Sequence, residues 1–68
     1  MGIPLAPIER MLKRSNMRVS ESAVKEMAKL TEEIITDLSF EAVASSRQAG
    51  RKTLIRKDIE GAKKKIFG

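Results

Sequence analysis

Cysteine, histidine, tryptophan and tyrosine are all missing from the 68 residues, and the aromatic side chains are two phenylalanines, Phe40 and Phe67. Without cysteine there is no disulfide and no thiolate metal site; without histidine the commonest metal ligand and general base is gone. Proline is confined to Pro4 and Pro7, and no glycine or proline falls between Ile8 and Ala49. No run approaches the ~20 apolar residues of a membrane span. The opening, Met1 to Ala6, lacks the basic segment and apolar run of a signal peptide, and Ala6 breaks a myristoylation pattern. A soluble, cytoplasmic chain is therefore expected, with no membrane partner, no small-molecule substrate and no cofactor or metal. Catalysis is excluded on the same grounds. The adjacent carboxylates Glu32 and Glu33 diverge on a helix, Glu41 has no histidine or cysteine to work with, and so short a chain encloses no pocket-sized core.

What is present is charge, unevenly placed. The net charge is +5. Residues 1–19 set Arg10, Lys13, Arg14 and Arg18 against Glu9. Residues 20–46 set Lys25 and Lys29 against six acids, and residues 47–68 set eight cations against Asp58 and Glu60. A surface built only for solubility would intersperse its signs. An acidic middle with basic ends predicts a polyanion met by the ends. No aromatic residue is interleaved among the cations, so stacking on single strands is not signalled. Duplex backbone binding with little sequence reading is the expectation, and Phe40 and Phe67 are read as core.

Apolar spacing predicts three helices. Leu5, Ile8, Met11 and Leu12 form one stripe on a first helix from about Leu5 to Ser15, with Pro7 tolerated in its first turn. Ser20 is a good N-cap for a second helix from Glu21 to Ala49, and Glu21 adds favourable charge in its first turn. Its stripe is Val24, Met27, Ala28, Thr31, Ile34, Ile35, Leu38, Ala42 and Ser45; Phe40, Val43 and Ala44 fall on its flank or far side. A third helix runs from about Lys57 to Phe67 with Ile59, Ala62 and Ile66 on one face, and Gly61 inside it costs about 1 kcal/mol relative to Ala. Thr53-Leu54-Ile55 is apolar and β-branched enough for a very short strand, which needs a partner such as the Arg18-Val19 segment of a second chain. Met11, Met17 and Met27 are read as core or loop packing.

The long helix decides the assembly. From Glu21 to Ala49 it spans roughly 43 Å at about 1.5 Å per residue. A compact globule of this chain length has a diameter near about 28 Å. A monomer would push Ile34, Ile35, Leu38 and Phe40 into water. Two chains crossing their long helices remove the problem, so an obligate dimer with Met27, Ile34, Ile35, Leu38 and Phe40 in its core is expected.

The most informative stretch is Ala49-Gly50-Arg51-Lys52-Thr53. Gly50 reads as a helix C′ residue, where a left-handed turn needs no Cβ. Two cations and a hydroxyl follow at once, a set that can offer charge, hydroxyl and backbone amides to a phosphate backbone. Together with Pro4-x-Ala6-Pro7-Ile8 and Arg18-Val19-Ser20, in that order and spacing, the chain resembles the short, tailless archaeal histones from about Ile3 to Ile66. The resemblance implies one all-α histone-fold domain over residues 1–68 (short helix, long central helix, short helix) in an interlocked handshake dimer. It implies non-enzymatic binding, wrapping and compaction of double-stranded chromosomal DNA, in association with the chromosome.

The resemblance also assigns roles. Arg10 matches an arginine that enters the DNA minor groove, where narrow A·T-rich stretches deepen the negative potential. Thr53 matches the loop threonine that pairs with that arginine, and Lys52 and Arg18 match residues on the flanking phosphates. Lys13 adds a phosphate contact from one turn along, with Arg14, Arg56 and Lys57 as further candidates. Arg51 matches a structural arginine bridging to Asp58. Lys63, Lys64 and Lys65 are read as a solvated face.

Two departures from the family pattern matter. The first loop, Ser15 to Ser20, is one residue shorter than is typical. At the positions through which family dimers join other dimers, this chain has Ser45, Gln48, Asp58 and Gly61. Ser45 and Gly61 remove apolar contact worth ~0.8 kcal/mol per lost CH₂, so weak dimer stacking, or stacking only on DNA, is expected. Homodimer and heterodimer with another histone both stay open. The alternative function is a histone-fold heterodimerisation module in a transcription complex.

Overall fold

The computed structural model describes residues 2–68; Met1, where the expected domain begins, lies outside them. Its helices are α1 (Leu5–Lys13), α2 (Glu21–Gln48) and α3 (Arg56–Phe67). The chain divides into two compact units, Met1–Glu33 and Ile34–Gly68, with the boundary inside α2.

In the first unit α1 buries Ile8 against Val24 and Ala28 of α2, and Ile3, Leu12 and Val19 pack around them. Of the α1 stripe read from the sequence, Ile8 is buried at 7% exposure against Val24 at 5%, and Leu12 is half-buried, whereas Leu5 and Met11 stay exposed. α1 stops two residues earlier than its periodicity predicts. Its last turn tightens into successive bonds from the amides of Arg14, Ser15 and Asn16 to the carbonyls of Met11, Leu12 and Lys13, at 3.1–3.3 Å. The Ser15 hydroxyl donates to the Leu12 carbonyl at 2.8 Å, and Asn16 then takes φ +63°, a left-handed turn that asparagine tolerates. Ser20 caps α2 by accepting the Ala23 amide at 3.1 Å.

The second unit has a core of small residues. Ala42 of α2 is 0% exposed and Ala62 of α3 is 3% exposed, with Ser46 and Asp58 as the buried polar groups. Lys65 of α3 pairs with Glu41 of α2 at 3.2 Å. α2 ends in a Schellman turn: the Gly50 amide bonds the Arg47 carbonyl and the Arg51 amide bonds the Ser46 carbonyl, both at 3.0 Å, with Gly50 at φ +74°.

Among the described residues there is no strand. Ile55 is extended (φ −120°, ψ 169°) as the N-cap of α3, but a ladder requires a second backbone, and within one chain Thr53 to Ile55 has none. The expected dimer core is uncovered in the single chain: Met27 and Ile34 are each 41% exposed, Ile35 52% and Phe40 75%, with Leu38 half-buried. Met11 and Met17 are exposed as well, so neither packs into a core within the chain.

Candidate nucleic-acid interface

Loop 2, which joins α2 to α3, is held by a set of polar contacts around the buried Asp58 and Ser46. Arg51 grips Asp58 with both ends of its fork, Nη1 to Oδ2 at 2.9 Å and Nη2 to Oδ1 at 2.8 Å. Asp58 Oδ2 also accepts the Ile55 amide at 2.9 Å, while the Asp58 amide donates to the Ile55 carbonyl at 3.0 Å. The guanidinium hydrogen bond is the main reason the Asp58 carboxyl falls from the usual carboxylate range to about 2; the Ile55 amide adds to it, and burial opposes. The same hydrogen bond raises the Arg51 pKa further above its ordinary value. Because Asp58 sits at the third position of α3, its charge also faces the positive end of that helix. Its reach back to Ile55 explains why α3 begins at Arg56, one residue before the periodicity alone predicts.

Two further bonds fix the loop backbone. Arg51 Nη1 donates to the Thr53 carbonyl at 3.0 Å. The Ser46 hydroxyl lies 3.2 Å from both the Arg51 and Thr53 carbonyls, so one donor is shared between two acceptors. Sequence reasoning missed Ser46, although a signal was there: it lies one turn from Ala42 on the same stripe, shortly before the glycine turn. With the Arg51 and Thr53 carbonyls drawn inward, Lys52 and Thr53 remain exposed at the surface.

The remaining candidates fall into the two units. Arg10, Lys13, Arg14 and Arg18 are exposed on α1 and loop 1 in the first unit. Lys13 pairs with Glu9 at 3.0 Å, an exposed i, i+4 contact worth only a few tenths of a kcal/mol and easily exchanged for a phosphate. Lys52, Thr53, Arg56 and Lys57 are exposed in the second. The structure brings Arg51 and Asp58 together. It places Asp58 inside the loop clamp at 2% exposure, while Ser45, Gln48 and Gly61 line a shallow notch of about 250 Å³ beside the Lys65–Glu41 pair. Phe40 stands apart from the rest of the expected dimer core. It precedes the buried Ala42 by two positions, about 200° of helical turn, and so faces the opposite way. Among the described residues no cluster of three acids could hold a metal, and no helix is long and apolar enough to cross a membrane.

The order of three helices among the described residues agrees with the comparison to known proteins. Residues 1–62 match the family model of histone-like transcription factors (CBF/NF-Y) and archaeal histones. The chain belongs to that family. It is 38% identical over 63 residues to one of the subunits of archaeal histone HAN1 from Thermococcus zilligii, covering 91% of this chain and 94% of that protein. It is also 38% identical over 61 residues to probable archaeal histone 3 of Methanocaldococcus jannaschii, covering 88% and 91%. As a member of that family the chain is a histone-fold, DNA-binding protein.

Proposed function

We propose that two copies of the chain form one handshake dimer in which loop 1 of each protomer lies beside loop 2 of the other, and that the paired loops bind duplex DNA. Each pairing joins Arg10 and Arg18 of one protomer to Lys52 and Thr53 of its partner. Arg10 enters the minor groove with Thr53 holding its side chain, while Arg18, Lys52, Lys13, Arg14 and Arg56 neutralise the flanking phosphates. The dimer core is Met27, Ile34, Ile35 and Leu38, and residues 1–68 act as one domain that the second chain completes, in the cytoplasm. What carries this reading is the clamp on loop 2. Arg51, Asp58 and Ser46 fix the backbone so that Lys52 and Thr53 face outward before DNA arrives, which removes the entropy of ordering the loop from binding. The exposure of Met27, Ile34 and Ile35 supports the dimer. The hydroxyl and hydrogen at Ser45 and Gly61 support weak joining of dimers through the Gln48 and Asp58 region.

The test is the salt dependence of binding to long duplex DNA. Release of counterions from about six phosphates per dimer gives a log–log slope near about −5. A slope shallower than about −2 would mean that the basic loops are not the binding surface. A chain that stays monomeric at micromolar concentration and binds DNA weakly would point instead to a heterodimerisation module.

A further inference from the structure

The second half of α2 has an apolar face that is uncovered in the single chain and lies away from Ala42 and the expected dimer core. Phe40 is 75% exposed, the most exposed of the large apolar side chains described. It borders a surface groove of about 390 Å³ lined also by Thr36, Val43, Ala44 and Arg47. A large knob and a shallow hole therefore share one face.

The arrangement of that face is symmetric about Ala42. Phe40 lies two residues before Ala42 and Ala44 two residues after it; Asp37 lies five before and Arg47 five after. At about 100° per residue all four project from the side opposite Ala42, which is fully buried. Two such helices laid antiparallel across a two-fold axis would set Phe40 of each over Ala44 of the other. The same register sets Arg47 opposite Asp37 at both ends. Neither Arg47 nor Asp37 takes part in an ion pair among the described residues. Self-complementarity of this kind, in which residue i meets j and j meets i, is what an isologous contact requires.

We infer that this face is a second self-association surface, through which one dimer meets another. The inference rests on the dimer proposed above and adds a contact that adjoins the depleted Ser45–Gly61 notch at Ala44 and is centred on Phe40. Its size sets its strength. A buried phenylalanine contributes some 150–250 Å², so two of them with their surroundings fall below the ~1,000 Å² of a stable interface. The contact is weak in free solution and becomes effective between dimers on the same DNA, where tethering raises the effective concentration toward the millimolar range.

Sedimentation equilibrium of the intact protein from about 10 μM to about 1 mM, repeated with dimers bound to duplex DNA, tests this. The wild type is expected to pass from dimer to tetramer over that range. Phe40→Glu is expected to weaken the step by about tenfold or more while leaving the dimer, and its affinity for a duplex that accepts a single dimer, unchanged. Arg47→Asp and Asp37→Arg should each weaken it by roughly two- to thirtyfold, and the double variant should restore it, because two exposed ion pairs are exchanged in each case. A wild type that stays dimeric throughout, on DNA as well, would overturn the inference. So would Phe40→Glu chains that associate normally, or that fall apart into monomers, which would return Phe40 to the dimer core. A wild type that is monomeric or does not bind DNA would instead refute the dimer reading itself.

Discussion

Gly50 and Gly61 offer the same chemical change in two backbone conformations, with opposite expected signs. At Gly50 φ is +74° and a Cβ would meet nothing within 4 Å, so the whole penalty of Gly50→Ala is conformational. A left-handed L-residue costs about 1–2 kcal/mol, offset in part by the smaller entropy of the unfolded alanine chain. A net loss of about 1 kcal/mol per chain remains. With an unfolding entropy of about 2.1 cal/mol/K per residue, that is a fall in Tm of about 7 °C for a chain of this length. Gly61 lies within α3, where a Cβ also meets nothing within 4 Å and φ is ordinary. Gly61→Ala should therefore gain about 0.5–1 kcal/mol per chain and raise Tm by several degrees. Both are read from far-UV circular dichroism melts at one fixed protein concentration, because dimer stability depends on concentration. A Gly50→Ala protein melting at or above the wild type would refute the view that a left-handed cap ends α2 and aims loop 2.

Three other outcomes follow from the same structure. Asp58 holds a folded pKa of about 2, below its unfolded value, so its contribution is complete above about pH 4 and disappears as the pH falls toward 2; the Tm gap between wild type and Asp58→Asn should be wide at pH 7 and close over that window, and a gap that does not narrow would contradict the clamp. Ile8→Ala empties the centre of the first unit's core and should lower stability by about 2–4 kcal/mol in denaturant titration, with a change under about 1 kcal/mol showing that α1 is not packed there. Arg10→Ala should weaken binding to every duplex, most of all to A·T-rich DNA, in a fluorescence-polarisation titration, and an unchanged affinity would remove Arg10 from the minor groove.

Much of the fold was legible because local signals agreed with one another. Ser20 before Glu21, a stripe at helical spacing with no glycine or proline in it, and Gly50 set both ends of α2 to within a residue. The ends that moved did so through side chains reaching over the backbone. Ser15 and Asn16 turn the chain out of α1 early, and Asp58 starts α3 one residue sooner by accepting the Ile55 amide. The short strand was not realised in one chain because extended backbone without a partner forms no ladder. In the candidate interface the Arg51–Asp58 spacing was readable from the family pattern. The part played by Ser46 was not, since a serine on a small-residue stripe reads as filler until the loop carbonyls it bonds are placed. Phe40 shows the opposite limit. Hydrophobicity and length put it in the expected dimer core, whereas its angle around α2 sets it opposite the buried Ala42.

Dimers of this chain are expected to hold and bend duplex DNA along their paired loops, and nuclease protection reads this out. A histone octamer wraps about 147 base pairs, so one dimer's share is roughly 35 base pairs. Micrococcal nuclease digestion of long duplex DNA saturated with the purified protein should leave fragments near that length, rising in steps of similar size if dimers also join on the DNA. Digestion to completion with no protected fragment, at protein concentrations that saturate binding, would contradict the account.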